Sequence, residues 1–455
     1  MPGKTLLSDF RPLILLALSV LVAVATVKVS KIALLVGLGI LGYGWLQTFL
    51  HRNRNGEAHL YSALIVGAEV YFKMSFAGLP WEFAKIATWI LLLTGILVER
   101  RKRPIPLIMV IYALLLIPGI FARDWSDLLQ FKHDLMMNLS GELTLIIAVF
   151  YFYKRPIGME ELLAFGRMLI YGVTLMAATV YLKAPDYAQI AYGGGSNFAA
   201  SGGFGPNQVS AIFGVGVFVT GFFLLQNVRL FLYRWIDLSL LIIFSLQGLF
   251  TLSRGGLIAA WVALAVSALA IYLFNPKQVL GVLKVSPLKI LLLAALVVFA
   301  FNEADTISGG AVSRRYFNVD QYGEQIKEDY STHRIGVVES DLKTFKNFWI
   351  TGAGVGGGAF YREEDLGFGA THVEFSRLLA DHGLPGLFAL IIMFAFPLGA
   401  FFRRPDARQR LLLAGFVSLA LLTMSHNAMR LAMPGFFYGF GFVLLHWQRT
   451  ERDEP

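Results

Sequence analysis

Three polar interruptions of an otherwise apolar sequence carry the residues that could do chemistry. GFGPNQ, Gly203–Gln208, places Asn207 and Gln208 at the head of an apolar run. TLSRGG, Thr251–Gly256, sets Ser253 and Arg254 in a very short connection between two such runs. The third runs from Thr351 to Leu387. It opens as TGAGVGGG, passes Glu363, Glu364 and Asp365, and reaches His372 at the start of another apolar run. Arg314, Arg315, His333 and Arg334 lie between the second and the third. Arginine offers a planar fork of donors that suits phosphate oxygens. Histidine is the side chain that exchanges a proton near neutral pH. Anion binding and proton transfer are thus the chemistry on offer.

Each residue also has a structural reading. Arg254 at a helix boundary could snorkel or cap, although Ser253, Gly255 and Gly256 would let a backbone or a phosphate come close. His372 is one of eight histidines, and a histidine near a helix start commonly makes a structural hydrogen bond. Glu374, Arg377 and Asp381 follow it at i, i+3 and i+7, an acid–base–acid ladder on one helical face. Such a ladder should face the interior of a bundle, as substrate contact or as a structural ion pair. SHNAMR, Ser425–Arg430, is a rival site with His426, Asn427 and Arg430, ranked below His372 because its loop is short and lacks a flexible arm. Three adjacent acids cannot all face one ion from a regular element, so Glu363–Asp365 reads as solvated loop and no metal is expected. Gly352–Gly358 lacks the Lys-Ser/Thr of a phosphate-binding loop; its glycines read as a mobile backbone near a ligand or a helix.

The elements that must position these residues are membrane helices. The chain has 455 residues, 56% hydrophobic and only 15% charged. Apolar runs of about 17–25 residues recur from end to end, each able to cross a hydrocarbon core. The expected class is therefore all-α, a polytopic membrane helix bundle. The first run, 12–27, reads as a retained helix and not a cleaved signal. With the N-terminus inside, the clusters HRNRN, ERRKR, YKRP, NVRLFLYR, NPKQVLGVLKVSPLK and RRPDARQR all fall on one side. That alternation gives about fourteen spans, or twelve if two weak pairs are re-entrant, with both termini cytoplasmic. The net charge of +9 follows from this asymmetry and is not a nucleic-acid signal. There is no cysteine. The expected organisation is a helix bundle over 1–302 with an outer loop at 183–206, a large outer loop at 303–371, and further membrane helices over 372–455. The large loop holds 7 Lys plus Arg against 11 Asp plus Glu, net −4, so single arginines matter more than a basic patch. Within it Ile335, Val338, Leu342, Phe345 and Trp349 share a helical face, predicting an amphipathic helix on the membrane surface or on the bundle.

In order and in side of the membrane, GPNQ, then T-x-SRGG, then an arginine, then a histidine opening HVEFSRLLADHGLPG, resemble the O-antigen ligase and polymerase superfamily. The resemblance covers Gly203 to Leu387. Val373 stands where that family often has asparagine after the histidine, and NFWITGAG lacks the usual proline. The resemblance implies an enzyme of the Gram-negative inner membrane that transfers a glycan from undecaprenyl diphosphate, on the periplasmic side, to lipid A–core. It implies no cofactor and no metal. In that role Arg254 and Arg334, with Arg314 and Arg315, would stabilise the diphosphate leaving group. His372 would be the general base, and direct displacement would invert the anomeric centre. Asn207, Gln208, Ser253, Glu374 and Arg377 would support them, and the glycine arm would bring His372 to its substrates. His333 and His426 are the alternatives as base. Other acceptors would make the chain an O-antigen polymerase or a protein O-glycosyltransferase. A lipid-linked glycan transporter would instead use ionisable residues near the midplane, for which Glu69, Lys73, Glu142, Arg167, Asp237, Asp381 and His382 are candidates.

Overall fold

The computed structural model describes residues 6–100, 103–123, 126–190, 192, 195–274, 287–320, 322–325, 334–404 and 406–446. His333 and most of the inner loop at 275–289 lie outside them. The helices of the first half are α1 (Leu6–Lys28), α2 (Lys31–Leu50), α3 (Glu57–Gly67), α4 (Glu69–Met74), α5 (Phe83–Val98), α6 (Leu107–Phe121), α7 (Leu128–Phe152) and α8 (Met159–Lys183). Those of the second half are α9 (Pro206–Leu225), α10 (Arg234–Phe250), α11 (Arg254–Phe274), α12 (Pro287–Ile307), α13 (Ala311–Phe317), α14 (Arg334–Asn347), α15 (Gly357–Leu366), α16 (Glu374–Arg403), α17 (Ala407–Asn427) and α18 (Met433–Phe440). Among the described residues eight helices, α1, α2, α7, α8, α9, α11, α16 and α17, are apolar and long enough to cross a membrane by length and composition; α5 and α6 are shorter apolar helices. The protein is an all-α polytopic membrane protein.

Small residues let these helices close up without polar gaps. At Gly214 a Cβ would stand 2.3 Å from the Gly256 carbonyl oxygen, and at Gly256 one would stand 2.2 Å from that of Ser210. The backbones of α9 and α11 therefore touch, the small-residue contact by which apolar helices associate in lipid. The same contact joins α3 to α8, where Gly67 and Gly172 leave no room for a side chain. Phe165 stacks on Phe440 at 3.8 Å between ring centroids and ties α8 to α18.

Two expected spans differ. The run 58–78 is split at Ala68 into α3 and α4, because Glu69 turns away to accept the Ala432 N–H at 2.7 Å. The run 431–447 is helical only over α18. The chain then turns, and Leu444–His446 (β2) pairs in parallel with Pro156–Gly158 (β1).

The glycine segment is a wedge, which corrects the expectation of a flexible arm. Pro385 has no N–H to give the carbonyl four residues back, and Gly383 sits at φ 62, ψ −136, so α16 opens there. The incoming strand of loop fills the opening. The Leu384 N–H donates to the Trp349 carbonyl, the Ala353 N–H to that of Ala380, and the Gly354 N–H to that of Asp381, at 2.8, 2.8 and 3.1 Å. The N–H groups of Gly356 and Gly358 then cradle the Asp381 carboxylate at 3.1 and 3.0 Å. The glycines thus bind the protein's own anion.

Of the two placements expected for α14, the membrane surface or the bundle, its apolar face does not take the second. Val337, Ser340, Asp341 and Thr344 are buried, while Ile335, Leu342 and Trp349 are exposed. Asp341 sets this orientation: it is ion-paired to the buried Arg362 and accepts from Ser376 Oγ at 2.6 Å.

Candidate active site

One end of the bundle gathers the N-terminus of α9, the α10–α11 turn, α13, the start of α14, the residues before α16 and the α17–α18 turn. Ser253 Oγ donates to Asn207 Oδ1 at 2.8 Å, and Ser210 Oγ to the Ser253 carbonyl at 2.6 Å. Arg315, 8% exposed, donates from Nε to the Leu252 carbonyl at 3.1 Å. Burial, and then the charges of Arg254 and Arg334, push the Arg315 pKa down. Arg314 is separate: its Nη1 donates to the Gly309 carbonyl of its own turn at 3.0 Å. Beside the cluster lies Tyr316, whose buried hydroxyl makes no hydrogen bond.

His372 is tied to the α17–α18 turn, since its carbonyl accepts the Ala428 N–H at 3.0 Å. Ala428 has φ 50 and ψ −148, a conformation that only glycine adopts readily, and Leu252 in the opposite turn has φ 54. Strain of this kind costs of order 1–3 kcal/mol and collects at functional sites. Arg430 Nη2 donates to the Thr371 carbonyl at 2.9 Å. Burial, followed by Arg430, Arg334 and His426, holds the His372 pKa down to about 4, so the imidazole is neutral at pH 7. His426, the rival, belongs to the same site; the space beside Gly255 is filled by its ring. That ring and the Ser210 backbone occupy the room beside the two SRGG glycines, which corrects their reading as space for a ligand. His426 Nδ1 meets the carbonyl of Leu422 at 2.8 Å, one turn back in its own helix.

A polar cavity of about 380 Å³ opens beside these residues, lined among others by Trp81, Gln208, Arg362, Glu374, Arg377 and Arg430. Arg377 is ion-paired to Glu374, with Asp381 at 3.1 Å and Glu142 at 3.7 Å, and all four are buried. The ladder faces the interior as expected. Glu374 also accepts the Met429 N–H at 3.2 Å, so this network holds the turn that carries Arg430. Glu69 and Lys73 pair at 2.8 Å, and Lys73 donates to the Arg430 carbonyl at 3.0 Å. Buried polar atoms are nearly always satisfied. Here His372 Nδ1, His426 Nε2, both amide atoms of Asn427 and Gln208 Oε1 are buried and make no hydrogen bond with a described residue, all at this end. Two apolar cavities of about 250 and 400 Å³ share Trp261 and Val297 and lead from Tyr316 along α11 and α12 to Leu225.

Residues 238–391 match the family described as O-antigen ligase. The match covers about a third of the chain and is a similarity to that family. No curated protein matches the chain. The matched stretch spans Ser253, Arg254, Arg315, Arg334 and His372. Of the residues proposed for transport, Asp237 accepts the N–H groups of Leu230 and Phe231, and Arg167 donates to the Leu230 carbonyl, whereas neither ring nitrogen of the buried His382 has a hydrogen-bond partner among the described residues. Sequence reasoning missed Arg430 as a partner of His372, and it missed Tyr316. The polar run SHNAMR was a signal for the first; nothing in the sequence marks the second.

Proposed function

We propose that this protein is an O-antigen ligase that transfers a glycan from undecaprenyl diphosphate to lipid A–core on the periplasmic side of the inner membrane. The observation that carries the reading is the convergence of Arg254, Arg315 and Arg334 beside a neutral His372 whose Nδ1 lacks a partner. A diphosphate leaving group develops negative charge, and clustered guanidinium groups answer it. The acceptor hydroxyl attacks the anomeric carbon, the bond from that carbon to the diphosphate oxygen breaks, and the electron pair leaves with the lipid diphosphate. His372 accepts the hydroxyl proton. The configuration inverts. The two apolar cavities along α11 and α12 have the lining that a polyprenyl chain requires, and one of them reaches Tyr316, the neighbour of Arg315 in sequence. The polar cavity, with Trp81 at its wall, suits a sugar.

The test is a transfer assay with the purified protein in detergent. It receives an undecaprenyl-diphosphate glycan and lipid A–core, with chelator and without nucleotide. Glycosylated lipid A–core is the expected product. Lengthened carrier-linked glycan without ligation would make the protein a polymerase, and no transfer in detergent together with uptake into proteoliposomes would make it a transporter.

A further inference from the structure

At the opposite end of the bundle lies a second polar cavity, of about 310 Å³. It is formed by the α2–α3 turn, the end of α5 and the segment between α7 and α8. Five of its lining residues are arginines, Arg52, Arg54, Arg100, Arg103 and Arg155, against two glutamates. One glutamate, Glu99, is fully used: Arg155 Nη2 lies 2.7 Å from Oε1 and Arg103 Nη2 2.8 Å from Oε2, and Asn53 Nδ2 donates to Oε1 at 2.5 Å. The other, Glu161, faces the buried His59 at 3.3 Å. Arg52, Arg54 and Arg100 form no ion pair with a described residue. Arg103 Nη1 is buried without a hydrogen-bond acceptor.

Arginines near the inner ends of membrane helices can serve topology alone. Topology needs neither burial nor strain. Here Arg155 is 3% exposed, and its guanidinium lies 3.6 Å from the Tyr151 ring centroid. Arg52 and Asn53, two successive non-glycine residues, have φ 52 and φ 51. Asn53 is held there by its side chain, which accepts from the Ala58 N–H at 2.9 Å and donates to Tyr151 Oη at 2.8 Å. The loop is fixed in an unfavourable backbone that presents arginine. Leu50, Leu97, Ile105 and Leu107, which flank the lining residues along the chain, are 61, 82, 63 and 71% exposed, so exposed apolar side chains neighbour the charged ones in sequence.

We propose that this cavity is a binding site for a phosphate group, supplied by the headgroup of an anionic phospholipid at the face of the membrane opposite the catalytic cluster. The excess positive charge matches a phosphodiester, the arginine forks match its oxygens, and the exposed apolar side chains that flank them in sequence take its chains. The test uses the full chain, delipidated in neutral detergent, and native mass spectrometry with phosphatidylglycerol or phosphatidylcholine of identical chains. The wild type is expected to retain phosphatidylglycerol about tenfold better. The variant Arg52→Gln/Arg54→Gln/Arg100→Gln, which leaves the Glu99 network intact, should bring the two lipids to parity with an unchanged elution profile. If that variant does not fold, Arg54→Gln alone should reduce the preference. Stabilisation of the wild type but not the variant by millimolar inorganic phosphate, with no lipid preference, would keep the site and make free phosphate its source. A lipid preference that survives the substitutions, or neither preference nor stabilisation, would overturn the proposal.

Discussion

His372 and His426 lie at the same end of the bundle, and His372 is the base that we propose. His426 Nδ1 meets its own helix and its Nε2 has no partner among the described residues, while His372 lacks one at Nδ1 and feels the charges of Arg430 and Arg334. A base with a pKa of about 4 is weak; burial is the main cause, but binding of a diphosphate at Arg334 would offset part of the positive charge that adds to it. Donor binding would therefore raise the basicity of His372 when it is needed. His372→Ala should lower transfer by about 10²-fold or more at unchanged protein level. The neutral imidazole is the active form, and its ligand-free pKa lies below the ordinary 6.5. As pH falls, kcat/KM should thus persist through 6.5 and drop near 4, while the acid limb of kcat should lie at higher pH. An acid limb of kcat/KM at or above 6.5 would refute the assignment. The two adjacent arginines give a sharper contrast. Arg315→Gln removes a guanidinium from the cluster and should raise KM for the donor about 10- to 100-fold, the loss of a charge-assisted phosphate contact. Arg314→Gln, which touches only its own turn, should leave KM near the wild-type value.

The segment from Trp349 to Gly358 shows how an element can be misread when its partner is distant. A run of glycines signals freedom only until something occupies it. Here the gap left by Pro385 in α16 and the carboxylate of Asp381 occupy it. Gly352 and Gly367 separate the two effects, since both have positive φ, 74 and 77. A Cβ at Gly352 would stand 2.3 Å from the Asp381 carbonyl carbon, and at Gly367 it would meet nothing within 4 Å. Gly367→Ala should therefore lose only about 1–2 kcal/mol of backbone strain. Gly352→Ala should lower the melting temperature in detergent far more, and transfer with it. What was legible follows the same division. The expected spans 31–50 and 83–98 coincide with α2 and α5, because each is a local apolar run whose ends polar residues or prolines mark. The buried face of α14 was not legible, because Asp341 is paired with Arg362 from another helix. SRGG and His372 were expected on one side of the membrane, and they lie at one end of the bundle. The convergence of Arg315, Arg430 and Asn427 on them depended on turns closed by long-range contacts, the Ala428–His372 hydrogen bond among them.

Across the whole molecule the two ends use arginine differently. At one end Arg254, Arg315 and Arg334 lie beside a histidine, strained turns and unsatisfied polar atoms. At the other Arg103 and Arg155 share Glu99 beside Arg52 and Arg54. In the topology we propose, the positive-inside pattern would orient the second end to the cytoplasm and leave the first facing the compartment where a lipid-linked glycan would be presented. Orientation is thus part of the catalytic proposal: a catalytic cluster on the cytoplasmic side would meet neither acceptor nor finished glycan. The chain has no cysteine, so a single introduced thiol reports its side without background. Asp186, between α8 and α9, and Asn55, between α2 and α3, lie in exposed connections at opposite ends of the bundle. In cells with a permeabilised outer membrane, an impermeant maleimide should label Asp186→Cys at once and Asn55→Cys only after lysis. The reverse order would put the arginines and His372 in the cytoplasm and remove the physical basis for a ligase, whatever the motifs suggest.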